Sequence, residues 1–294
     1  MKAGFRSYLV SRAAVLAVFC VVSIPAPAKG QDSGSGGKEP NVKPIKPLPK
    51  GGPTPRTADG HPDLSGVWFP GVTGDGNLND VGLGGSYNLV RQRFDPKKTP
   101  PEPIPFQPWA AAKLKEMFPN EVDAQMHSPS VLCMPRGVPL SMSVTPYPIQ
   151  IIQTRQLFVQ LNEDTVDYRV VPMDGRPHPQ DPDPKFNGDG VAHWEGDTLV
   201  IDTVGIDERT WNNLQGWFHS DQEHVVERIS RPSMNYLNYQ VTIEDPKVLT
   251  KPWTSPVHNW SLGHEPLQEF YCTHTEESSQ FGVLKNKLDA NQVK

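Results

Sequence analysis

Cysteine is nearly missing from this chain: three stand among 294 residues, and Cys20 falls inside an apolar N-terminal run. No Cys-x-x-Cys pair occurs and no Cys adjoins a His, so thiolate metal knots and thioredoxin-type redox chemistry have no sequence basis. A Gly-x-Ser-x-Gly elbow, a phosphate-binding glycine loop and a His-Glu-x-x-His pair are equally absent, which argues against a serine esterase, a nucleotide enzyme and a zincin. Concentrated positive charge is lacking too. The formal net charge is -5, and positive charge is densest in the first 56 residues, so no basic face is available to neutralise nucleic-acid phosphates. Only one long apolar run exists, Ala13 to Ala26, and it is shorter than the ~20 residues of a membrane-spanning helix.

That run follows Lys2, Arg6 and Arg12 and leads into Ala26-Pro27-Ala28. Cationic start, apolar middle and small residues at the end form the pattern of a secretory signal peptide over residues 1–28, so the mature chain is expected in the periplasm or outside the cell, with no membrane span after cleavage. Small residues do not precede Cys20 as they would in a lipoprotein. Residues 29–56, with Asp32-Ser33-Gly34-Ser35-Gly36-Gly37 and then alternating Pro and Lys, hold too little apolar surface to fold and read as a disordered tether. Residues 57–294 are the size of one domain. Cys133 and Cys272 then remain as a distant pair, expected to form a disulfide in an oxidising compartment; a metal or nucleophile role is the alternative.

Strand signals dominate what is left. His193 to Val204 reads as a β-hairpin, with the turn at Glu195-Gly196-Asp197 and a two-residue alternation from Leu199 to Val204. Alternating runs recur at Leu157 to Leu161, Tyr168 to Val170, Val225 to Ile229 and Leu237 to Ile243, and Leu267 to Cys272 is expected as a last strand. Gly66-Val67-Trp68 opens the first strand, and Trp109 to Phe118, after Pro108, is the best helix. No helices separate the strands as parallel crossovers require, which predicts an all-β, antiparallel up-and-down barrel or curved meander of lipocalin-like type, with few short helices and long Pro/Gly-rich loops.

Two resemblances follow from these residues. Gly66-Val67-Trp68 before a meander is similar to the Gly-x-Trp start of lipocalin-like barrels. Across most of the mature chain, Thr54 to Trp68, Asp174-Gly175-Arg176, the His193 to Val204 hairpin, Val241 to Pro246 and Lys251-Pro252-Trp253 resemble an uncharacterised family of secreted soil-bacterial proteins. That resemblance implies secretion and one continuous domain, and it brings no substrate.

Candidate chemistry rests on four residues of the central hairpins, His193, Asp202, His219 and Glu227, where a carboxylate fixing an imidazole tautomer would make a general base. Structural roles stand beside this: Asp202 accepting hydrogen bonds at the strand end from Thr203, Thr210 or backbone, and His193 capping the hairpin beside Trp194. A metal at His219 to Arg228 is disfavoured by spacing, because a strand beginning near Glu223 turns His224 and Glu227 to opposite faces; a solvated loop and strand surface is the plainer reading. Arg136, Arg176 and Arg228 are a candidate anion clamp, although Asp174-Gly175-Arg176 is equally a turn. Trp211 and Trp217, flanked by polar residues, are candidates for a ligand mouth, whereas Trp68 and Trp194 suit a core.

These features support extracytoplasmic binding of a small, partly apolar molecule in a barrel cavity, without cofactor or metal. The alternatives are an acid–base lyase, isomerase or hydrolase in the same cavity, and a carbohydrate-binding or envelope-associated module. The disulfide has a direct check: thiol titration of the mature protein, denatured without reductant, should find no free thiol, and two titrating groups would refute the bridge.

Overall fold

A computed structural model describes residues 49–70, 103–118, 124, 127–129, 133–142, 147–163, 167–213 and 215–269. They belong to the unit that runs from Pro44 to Lys294. Ten strands form one sheet: β1 (Gly66–Pro70), β2 (Ile149–Gln153), β3 (Leu157–Asn162), β4 (Tyr168–Pro172), β5 (Asp189–Glu195), β6 (Thr198–Val204), β7 (His224–Ser233), β8 (Tyr236–Glu244), β9 (Trp253–Thr254) and β10 (His258–Leu262). The helix α1 spans Pro108–Met117, with proline in its first turn where no backbone donor is missed. The sheet curls into a nearly closed barrel, as the alternating sequence predicts.

Strand order around the barrel is β4-β3-β2-β1-β10-β8-β7-β6-β5, and every neighbouring pair is antiparallel. The short β9 extends this wall by pairing with the second half of β8. Nine strands that alternate in direction leave the first and the last pointing the same way, so β4 and β5 meet as a parallel pair. Parallel neighbours cannot be joined by a hairpin and need a long crossover. Met173 to Gly188 is that crossover.

The seam between β4 and β5 is bridged by a few contacts instead of a ladder. Gly175 N–H donates to the Ala192 carbonyl at 3.1 Å, and the Asn187 side-chain amide donates to Asp167 and to the Tyr168 carbonyl. Gly188 ends the crossover at φ 63, and a Cβ there would lie 2.7 Å from the Val204 carbonyl oxygen. Glycine is therefore required both by the left-handed backbone and by the close approach to β6.

Alternation places Trp68, Phe158, Leu199, Ile201, Ile229, Leu237, Tyr239 and Trp260 in the interior, all fully or almost fully buried. Trp260 stacks on Tyr239 at 5.0 Å, and the Arg231 guanidinium sits over the Trp68 ring. One charged pair crosses this apolar space. Arg169 Nη2 on β4 donates to Glu227 Oε2 on β7 at 2.5 Å, and the Tyr239 hydroxyl donates to Glu227 Oε1 at 3.0 Å. Glu227 is thus an interior anchor, not part of a solvated strand surface. His258 faces inward as well, and burial pushes its imidazole down to about 4.

Two local expectations differ. β10 forms at His258–Leu262, and residues 267–269 are not a strand; the rest of the expected last strand lies outside the described residues. The end of the expected tether is laid on the β7–β8 turn: Asn235 and Met234 donate to the carbonyls of Pro49, Lys50 and Gly52, and Thr54 Oγ1 donates to the Arg231 carbonyl. The Gly-rich passage from Gly71 to Asn88 and the expected signal peptide fall outside the described residues.

Removing one member of a buried ion pair leaves the other charge uncompensated, at about 3 to 5 kcal/mol. Arg169→Met or Glu227→Leu alone should lower the unfolding free energy by that amount in urea titrations. The double substitution should cost less than either single change.

Candidate functional site

The crossover does more than close the ring. Residues His178 to Pro184 lie against the end of β6 and the start of β7, and a cleft of about 770 Å³ opens among them. Its apolar walls include Pro179, Pro182, Pro184, Val204 and Ile206; its polar lining includes His178, His224 and Arg209. A second groove of about 590 Å³ follows the seam, with Tyr168, Val170 and Phe186 in its walls.

Asp202 fixes the larger cleft. On β6 it alternates with the fully buried Leu199, Ile201 and Thr203, so it stands on the outer face, where it pairs across to Val191 and Val226. Its Oδ1 lies 2.8 Å from His178 Nε2 on the crossover and 2.9 Å from His224 Nε2 on β7. The opposite ring nitrogens face further carboxylates: His178 Nδ1 is 3.1 Å from Asp189, and His224 Nδ1 is 3.5 Å from Glu244. Carboxylate, imidazole, carboxylate, imidazole and carboxylate therefore form an unbroken relay along four strands and the crossover.

Charge follows geometry. The Asp202 hydrogen bond, opposed by partial burial and helped by Glu244, raises the His224 imidazole above its ordinary value. Burial alone would raise the Asp202 carboxyl, but His224 and His178 outweigh it and hold the group below the usual carboxylate range. Arg209 draws the rim carboxyl of Asp207 down to about 2. Both Nε2 atoms converge on one oxygen and not on a shared open point, and among the described residues no group of three or more His, Cys, Asp or Glu is arranged to hold a metal ion.

Behind the cleft wall lies a buried polar nest. Glu223, next to His224, turns inward, where Asn212 Nδ2 donates to its Oε2 and His219 Nδ1 stands 3.7 Å from its Oε1. His219 Nε2 is 2.9 Å from the Thr210 hydroxyl. Ser220 donates its backbone N–H and its hydroxyl to Asp245, which also accepts from the backbone of Lys247 and Val248. Burial pushes the Glu223 carboxyl up to about 7, His219 and Asn212 opposing it only in part.

The residues singled out from sequence are dispersed. Asp202 belongs to the outer relay, His219 to the nest and Glu227 to the barrel interior. His193 is exposed near Glu195, which also accepts from Arg228, while Arg176 is clamped on Asp174. Arg136 is buried, its guanidinium 5.9 Å from the Tyr147 ring, and burial lowers it to about 10. The three arginines thus engage separate partners. Trp217 packs against Trp253 and Phe106 in the core and offers no platform to solvent, and Trp211 meets Phe118. Cys133 stands at φ 56, and Cys272 lies outside the described residues.

His178 is absent from the sequence candidates, and His224 and Glu223 figure there only in the disfavoured metal reading of His219 to Arg228. His178 sits in Pro177-His178-Pro179, a passage that reads as a turn, and only the crossover brings it to Asp202. Set against protein families, characterised proteins and solved structures, the chain matches none of them.

The nest makes a testable claim about pH. A carboxyl raised from about 4.5 to about 7 on folding holds its proton more tightly in the native state, so its contribution to stability is present at acid pH and is lost between those values. Likewise, the raised His224 contributes stability that is complete below the ordinary imidazole pKa and is lost as pH climbs through its folded value. Glu223→Gln should therefore be more stable than the parent near pH 8, by roughly 2 to 3 kcal/mol, and should lose that advantage near pH 4. Denaturant titration at the two pH values decides it.

Proposed function

We propose that this protein binds a small, partly apolar molecule outside the cytoplasm, and that the site is the outer cleft beside the crossover, not the barrel lumen. One observation carries the reading: apolar surface from Pro179, Pro182, Pro184, Val204 and Ile206 adjoins two imidazoles immobilised on a single carboxylate oxygen. Ligand sites combine an apolar lining with a few fixed polar groups in this way. The interior suits cargo less well, because the Arg169–Glu227 pair and stacked aromatics occupy it. Export follows from the N-terminal leader pattern. The Cys133–Cys272 bridge belongs to the same proposal, supported by the pairing of the two cysteines left after the leader and by an extracytoplasmic location.

A second reading, acid–base catalysis at the same cleft, is favoured by the relay. His224 is held toward its protonated form by Asp202, and a positioned acid contributes ~10²-fold or more to turnover. Mass spectrometry of natively purified protein should recover a small molecule from the parent. Val204→Trp, which fills the cleft, should recover none while keeping the parent's far-ultraviolet circular dichroism; equal recovery would move the site elsewhere. With the recovered molecule as probe, His224→Ala should reduce affinity only modestly if the protein is a binder. It should abolish conversion if the protein is an enzyme.

A further inference from the structure

Four of the eight large apolar side chains exposed among the described residues share one wall of the barrel: Ile152, Leu157, Tyr168 and Val170. Strand register joins them into one patch. Ile152 pairs with Val159 and Val159 with Val170, so a single row crosses β2, β3 and β4. Leu161 with Tyr168 forms the next row, and Leu157 with Pro172 the row on the other side. The same strands turn Gln160, Asn162 and Arg169 into the barrel. On β8, by contrast, Asn238, Gln240 and Thr242 alternate outward against a buried apolar set. An antiparallel sheet that faces water carries polar residues on that side, and a contiguous apolar patch marks a surface that meets something else.

The two ends of the wall identify the partner. Arg155, in the turn between β2 and β3, has no hydrogen-bond or ion-pair partner among the described residues. Arg176, near that end, is bonded to Asp174. Glu163, just past β3, accepts the Gln268 N–H at 2.7 Å and has no cation beside it among the described residues. Arg155 and Glu163 stand four positions before and four positions after Val159, the centre of the middle row. We infer that the outer wall of β2, β3 and β4 is the interface of a two-fold dimer, occupied by a second copy of this chain. An axis along the Ile152–Val159–Val170 row exchanges the two ends of the wall. Leu157 then faces the partner's Leu161, and each Arg155 faces the partner's Glu163. An isologous contact requires this kind of self-complementarity, whereas a foreign partner of either charge would satisfy one end alone. Three strands ~4.8 Å apart and five residues long at ~3.4 Å each make a patch of roughly 14 by 17 Å. That is the size of a small interface core completed by a polar rim, and it corresponds to a dimer that dissociates in about the micromolar range.

Sedimentation equilibrium of the mature protein between about 1 and 300 µM reads the association, with a concentration-dependent dimer expected. Val170→Lys should weaken it about tenfold or more, since a charge in the dry centre finds no partner. Arg155→Glu should weaken it about tenfold, and the double exchange Arg155→Glu/Glu163→Arg should return it to within about threefold of the parent, a recovery that misfolding does not produce. A monomer across the whole range, a dimer indifferent to Val170→Lys, or a double exchange that associates no better than Arg155→Glu alone overturns the proposal. Shielding of the Ile152 and Val170 methyl groups from a soluble paramagnetic probe in such a monomer would assign the wall to another segment of the same chain, and so against the dimer.

Discussion

An odd number of strands is the constraint on which this structure turns. Eight antiparallel contacts join nine strands in a row, and the ninth contact that closes them cannot be antiparallel, so β4 and β5 meet in parallel and share only scattered bonds. The chain must then cross from one end of the barrel to the other between them, and this long connection lies on the outer face. Everything proposed about the cleft descends from that passage: it delivers His178 to Asp202, sets prolines opposite Val204 and Ile206, and makes the seam a groove.

The interior answers the same constraint differently. With no ladder to join β4 to its neighbour, Arg169 reaches through the barrel to Glu227 on β7. A charged pair in such surroundings adds little net stability compared with apolar filling, because desolvation offsets most of the attraction. What it supplies is position: β4 has one charged partner inside, and Tyr239 holds that partner from a third strand. The seam is thus tied from within by Glu227 and from without by His178.

Much of the barrel was legible because half-buried strands alternate. Leu199 to Val204 and Leu237 to Ile243 announce their inner faces residue by residue, whereas on β3 the apolar alternation of Leu157, Val159 and Leu161 lies outward and Phe158, Gln160 and Asn162 are buried. β10 escaped because its inner positions are His258 and Trp260 among Asn and Ser, a pattern that does not read as apolar-in and polar-out, although both are buried. The site was half legible. Asp202 stood out as a carboxylate among branched side chains, and its need for partners was plain; the partners were not, since His178 lies 24 residues away in a proline-rich passage. The stretch from His219 to Glu223 looked solvated from its polarity, yet Asn212, Thr210 and Asp245 satisfy it inside the protein. Polarity in sequence cannot distinguish a wet loop from a buried one whose hydrogen bonds are closed by residues far along the chain.

One consequence of the parallel seam reaches beyond the cleft. A sheet gives way where its bonding is thinnest, and here that place is known in advance: between β4 and β5, under the passage that carries His178. Any molecule lodged between this passage and β6 acts as a rivet across the split, so occupancy of a shallow outer recess would be felt as stiffness around the whole cylinder. The barrel would register its guest mechanically without enclosing it.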